Sequence, residues 1–310
     1  MLAGAMLLWF ILTAFSLAFV AIDIRRTPES AVLKWGFVIL TLFTGPVGAF
    51  FYVLGCREPL PGTHEAYVAA TWRQVLGSTM HCAAGDGLGI IAGAAIASFL
   101  QLGEVSGLIL EYTLGFGFGW GYFQAYAMRD MADGSYRRSL KMTFIPELYS
   151  MNVLMVGMQL VAKPWMQQVP GADDPLGPSF WFVMSMALLA GFLCAYPMNW
   201  WLVTRNLKHG MMTIRAAAAA AGGGHAGHSG APSPTQMQDS GGEHGGGHGA
   251  GHGGGHAAGH GGGHGAGHGG GHERETQAAG SPSAGSVFAV GALSFALFGA
   301  SLVVLFLLRA

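Results

Sequence analysis

The chain has 310 residues, of which 51% are apolar and only 10% charged, and its formal net charge is −1. The charged fraction is well below the ~25% of an average soluble domain, and the near-neutral balance gives no sign of a nucleic-acid-binding chain. Three scattered cysteines, Cys56, Cys82 and Cys194, make no disulfide framework.

A lipid core of ~30 Å needs about 20 helical residues to cross it. Seven apolar segments reach that length: Leu2–Ile22, Leu33–Leu54, Leu76–Leu102, Gly107–Met128, Thr143–Ala162, Ser179–Val203 and Ser286–Leu308. Only helices satisfy their own backbone groups in lipid without closing a barrel. The expected fold is therefore all-α, a polytopic membrane bundle with a six-helix core and one C-terminal transmembrane helix. The expected domains are an N-terminal helix pair (1–71), a four-helix membrane core (72–215), a linker (216–285) and a terminal helix (286–310). The first segment lacks a basic leader and is long enough to span, so it reads as a transmembrane helix rather than a signal peptide. Gly45-Pro46 predicts a kink in the second.

Orientation follows from Lys and Arg. With a cytoplasmic N-terminus, ten of the fifteen fall in inner loops and five outside. Arg25 and Arg26 oppose this arrangement, which the remaining loops favour. It places the N-terminus and the linker in the cytoplasm.

The third segment carries Gly77, His81, Gly85, Gly89, Gly93 and Ala97 at steps of four. That is one stripe of a helix, and small residues there let membrane helices approach closely. Cys82 and Asp86, also four apart, line the adjacent face. Ionisable groups inside membranes are costly and usually functional. The fourth segment repeats the device with Gly107, Glu111, Gly115 and Gly119. Glu111 lies near the outer end, roughly 20 Å in depth from His81 at 1.5 Å per residue. It is therefore kept apart from the His81 cluster, as a group that pairs locally, with Tyr149 for instance, or lines an outer vestibule.

The fifth segment gives a stripe of Glu147, Met151, Met155 and Met158, with Asn152 beside it. Thioethers are soft ligands that suit Cu(I), although Met is also a routine apolar filler. The candidate core metal ligands are thus His81, Cys82, Asp86, Glu147, Met151 and Asn152. The sixth segment ends in Ala195-Tyr196-Pro197-Met198-Asn199-Trp200-Trp201, which reads as an interfacial anchor, with Lys208 and His209 following.

Between the sixth and seventh segments lies a tract holding ten of the thirteen histidines: His225, His228, His244, His248, His252, His256, His260, His264, His268 and His272. Eight of them recur every four residues, and nearly everything between those eight is Gly or Ala. Gly disfavours helix by about 1 kcal/mol relative to Ala, so the composition predicts a disordered linker rather than a helix. A string of imidazoles reads as a binder of Zn, Ni, Co or Cu. No phosphate-binding loop, zinc-protease helix, nucleophile elbow or haem-attachment motif occurs.

Three strings occur in order: Gly77-Ser78-Thr79-Met80-His81-Cys82-Ala83-Ala84-Gly85-Asp86, Pro146-Glu147-Leu148-Tyr149-Ser150-Met151-Asn152, and Ala195 to Val203 followed by Leu207-Lys208-His209-Gly210-Met211. Together they resemble the bacterial membrane family known as domain of unknown function 4396, over about residues 72–215. The resemblance implies a bundle of membrane helices and no particular activity. Gly45-Pro46-Val47-Gly48-Ala49-Phe50-Phe51-Tyr52 is similar to the segment preceding some membrane phospholipases, but no phospholipase catalytic motif follows it.

The functional expectation is an integral membrane protein that handles transition-metal ions (Cu, Zn, Ni or Co), by transport or membrane binding, with the linker as ion collector. The alternatives are a membrane metalloenzyme using His81, Cys82 and Asp86, and a non-catalytic partner packed through its glycine stripes. The expected partners are the bilayer, metal ions, and a second copy or another membrane protein at those stripes.

Overall fold

The computed structural model describes residues 1–127, 129, 134–210 and 282–307. The histidine tract, its ten candidate ligands and the linker up to residue 281 lie outside the described residues. The chain divides into two units, residues 1–221 with 279–310, and residues 222–278; only the first is described.

Every regular element among the described residues is helical. In chain order they are α1 (Leu2–Asp23), α2 (Ala31–Thr44), α3 (Pro46–Gly55), the short α4 (His64–Val68), α5 (Thr71–Phe99) and α6 (Glu104–Phe116). α6 runs on as a π-helical stretch, Gly117–Gln124, and a last turn, α7 (Ala125–Ala127). Then come α8 (Tyr136–Gln168), α9 (Pro178–Thr204) and α10 (Ala284–Leu307). α1, α5, α8, α9 and α10 are long and apolar enough to cross a membrane, which marks the chain as a membrane protein. Within their most apolar windows α5 and α8 are 61% and 67% buried, against 17% and 22% for α1 and α10. The first pair therefore forms the centre and the second the lipid-facing edge.

Here the structure departs from the expectation of a kinked second span. Gly45 adopts φ +55°, ψ −129°, a conformation open mainly to glycine, and Pro46 starts α3 with its φ already helical. The chain reverses there instead of kinking. A Cβ at Gly48 would lie 2.8 Å from Thr41 Cα, so α3 packs directly back along α2. Phe37 and Tyr52 meet at 5.6 Å. Tyr52 Oη donates to Asp23 Oδ2 at 2.8 Å and hydrogen-bonds Thr27 Oγ1 at 2.9 Å, at the end where α2 began. The tip, Gly45, rests on Thr13, midway along α1. Thr13 is ten residues from Asp23, roughly 15 Å along the helix. α2 and α3 are a hairpin that enters the bundle and returns, not one crossing. A buried His64–Glu29 contact at 2.7 Å fastens its base.

The consequence is topological. α5 starts at the end of the bundle where α1 finishes, called here the base. α7, the start of α8 and the end of α9 share the base. α10 runs parallel to α8: Tyr149 packs on Gly291, Asn152 Nδ2 donates to Ser294 Oγ at 3.2 Å, and Leu302 and Phe306 share a cavity wall with Gln159 and Lys163. The terminal helix therefore packs along the edge of the bundle against α8, although a long tract precedes it.

Candidate functional site

α5 and α6 cross through glycines, and that closeness builds the site. A Cβ at Gly89 would lie 2.7 Å from Gly115 Cα, one at Gly93 2.7 Å from Glu111 Cα, and one at Gly85 3.0 Å from Gly119 Cα. The two predicted glycine stripes thus face each other within one chain. Gly119 leaves its space to the Asp86 carboxylate, which a Cβ there would strike. Gly119 and Phe123 lie in the π-helical stretch, a backbone form that is rare and often marks functional positions.

The base-side cluster comes from three helices and the segment after α9. Glu147 Oε2 accepts from Lys208 Nζ at 2.8 Å and from Cys82 Sγ at 3.3 Å. Lys208 Nζ also donates to the Cys82 sulfur. Cys82, Asp86 and Glu147 are at most 1% exposed and Lys208 only 3%. Among the described residues no other side chain or backbone N–H donates to either Asp86 oxygen or to Glu147 Oε1, and the two carboxyls face each other. Burial opposes the charge on Lys208, but the Cys82 sulfur and the Glu147 carboxylate outweigh it and hold its pKa above the ordinary lysine range.

Sequence reasoning read Lys208 as part of an interfacial anchor. It is instead a buried member of the site, because α9 ends in a reversing motif. Asn206 takes φ +55° and Leu207 N donates back to Leu202 O at 2.9 Å, a Schellman closure. The turn swings Lys208 under the bundle. The readable signal was an Asn just past the helix end, one of the few non-glycine residues that tolerate this backbone.

The six predicted core ligands divide. Cys82, Asp86 and Glu147 line the Lys208 cluster. His81 is buried but turns its Nε2 to donate to the Phe123 carbonyl at 3.0 Å, while its Nδ1 faces Gly36 of α2 and has no partner among the described residues. Met151 places its methyl group over Gly115. Asn152 links Tyr112 of α6, whose hydroxyl donates to it at 2.7 Å, with Ser294 of α10. Among the described residues, no three His, Cys, Asp or Glu side chains are grouped so as to hold a metal ion. As the structure stands, an ammonium occupies the cluster.

Two cavities approach the buried polar groups. One of about 220 Å³ at the base is walled by Gln124, Thr143, Pro146, Asn206, Lys208 and His209. Another of about 260 Å³ at the far end includes Glu111, Lys163, Glu104 and Asp173. Glu111 is 5% exposed, accepts from Gln159 Nε2 at 2.6 Å and lies 3.7 Å from Lys163 Nζ. It lines this far-end cavity, and its partners are Gln159 and Lys163, not Tyr149.

Residues 71–208 match the family described as Domain of unknown function (DUF4396). Over that stretch the chain is similar to this family. The matched residues run from the first turn of α5 to Lys208, so they contain the whole cluster and exclude the α2–α3 hairpin, the histidine tract and α10. No curated protein and no solved structure matches the chain.

Proposed function

We propose that the protein handles transition-metal cations (Cu, Zn, Ni or Co) at a bacterial inner membrane, with Cys82, Asp86 and Glu147 as an exchange site. The observation that carries this reading is a charge imbalance in a buried place. Two carboxyls face each other beside one ammonium, which pairs with Glu147, and three of their four oxygens receive no donor from another side chain among the described residues. Unpaired buried polar atoms are rare and costly. A proton or a second cation completes the balance, and a metal ion enters as Lys208 withdraws toward the base cavity. Thiol and carboxylate are ligands such ions take. The ten histidines from His225 to His272 collect ions for it. His81, Met151 and Asn152 stay within the same part of the bundle as secondary candidates.

Elemental analysis of the purified full chain tests this, with and without residues 222–285. Bound metal should fall sharply on deletion, and a remainder should persist that Cys82→Ser with Asp86→Asn removes. Tract binding should weaken below the ~6.5 pKa of free imidazole. A metal-free protein in both forms, after growth in each metal, overturns the proposal. Bound metal without flux into vesicles points instead to a membrane metalloenzyme. The glycine stripes, being spent inside the chain, leave less surface for an assembly partner to use.

The hairpin also revises the proposed orientation. Eleven of the twelve described Lys and Arg residues, Arg25, Arg26 and Lys34 among them, lie at or near the base, and Lys163 alone lies at the far end. The positive-inside rule puts the base in the cytoplasm, which removes the conflict at Arg25 and Arg26 and sends the N-terminus outside. In a cysteine-free background, a cysteine at Leu2 should label with impermeant maleimide in intact cells and one at Ser281 should not. Equal protection of both would return the second segment to a single span.

A further inference from the structure

The two buried ionic sites are joined by one face of α8. Glu147, Met151, Met155, Gln159 and Lys163 follow at steps of four. Sixteen residues of helix cover about 24 Å, most of a ~30 Å hydrocarbon core. Each position is tied to the next helices or to its neighbour. Glu147 meets Cys82 and Lys208, and Met151 lies over Gly115, where the Asp86 carbonyl also approaches. Gln159 donates to Glu111 and lies 3.8 Å from the Met155 sulfur. Met151 and Met155 are 0% exposed and Gln159 2%, and the Gln159 side-chain carbonyl oxygen has no partner among the described residues. At each end a lysine, Lys208 or Lys163, sits on the carboxylate.

We propose that this file is a translocation path for a soft monovalent cation of the Cu(I) class, running from Cys82, Asp86 and Glu147 over the Met151 and Met155 sulfurs to Gln159 and Glu111. The inference rests on the metal-handling reading and narrows its substrate. Two observations select the class. The middle of the path offers neutral thioethers, which are soft ligands that favour Cu(I) over Zn or Ni. The desolvation cost of an ion rises with the square of its charge, so a neutral stretch admits a monovalent ion far more readily than a divalent one. The ion moves without change of oxidation state. The lysines act as tethered cations that leave a carboxylate when the ion arrives, which keeps each end balanced.

The test is uptake of Ag(I), a redox-inert stand-in for Cu(I), and of Zn(II) by vesicles containing the full chain. Met151→Leu with Met155→Leu is the diagnostic variant, because it conserves volume and removes only the sulfurs. The wild type should take up Ag(I) well above empty vesicles and Zn(II) hardly at all. The double variant, monodisperse on size-exclusion chromatography, should lose Ag(I) uptake about tenfold or more, since two of the path's soft ligands are gone. Zn(II) uptake equal to that of Ag(I), or Ag(I) uptake untouched by the double variant, overturns the thioether path and leaves metal handling standing. No uptake of either ion by folded wild type overturns the path and transport together.

Discussion

Lys208→Met should destabilise the protein by about 3–5 kcal/mol, the usual result of removing one partner of a buried ion pair. The substitution keeps most of the bulk of the side chain, puts a sulfur in place of the δ-methylene and deletes the ammonium. Glu147 and Asp86 are then left in a dry site with no cation, and protons must be taken up before the bundle can close. The second substitution separates charge from packing. Lys208→Met with Glu147→Gln removes both charges, and most of the lost stability should return. Thermal unfolding of the purified protein in detergent reads both, as a double-mutant cycle. The pair's contribution should be whole at neutral pH, because the folded pKa of Lys208 lies above that of the unfolded lysine. It is lost only as pH rises through that higher value. A single variant as stable as the wild type would place the ammonium outside the cluster.

Gly89→Leu should prevent accumulation of folded protein. The α5–α6 crossing has no room for a Cβ at that position, let alone an isobutyl group, since Gly115 Cα is already 2.7 Å from where the Cβ would stand. Backbone, not a movable side chain, is the obstacle. Asp86 is held in place by the same crossing through Gly119, so the site goes with the scaffold. Gly299→Leu is the matched control, because a Cβ there meets nothing within 4 Å on lipid-facing α10. There the swap should be neutral or slightly favourable, as helix propensity gains up to ~1 kcal/mol. Monodisperse yield on size-exclusion chromatography compares the two. Equal yields would show that the glycine stripe is not what sets the helix approach.

The sequence by itself determined the class of the molecule and the contents of its centre. Composition required membrane helices. Steps of four placed Cys82 with Asp86, and Glu147 with its methionines, on helix faces, because a periodic face follows from helix geometry alone. Glu111, set apart from His81 by its place along the helix, pairs with Gln159 and Lys163. Tertiary structure decided the rest. Gly45-Pro46 is compatible with a kink or a reversal, and only the packing of Gly48 on Thr41 and of Tyr52 beside Asp23 selects the reversal. His81 shares its helix with Cys82, yet the carbonyl of Phe123, forty-two residues away, fixes where its ring points. Lys208 looked like a surface charge because burying an ammonium is costly, and the carboxylate that offsets the cost lies sixty-one residues earlier in the chain. Local patterns report periodicity and backbone preference, whereas a charge pair or a chain reversal depends on partners that only the folded bundle brings together.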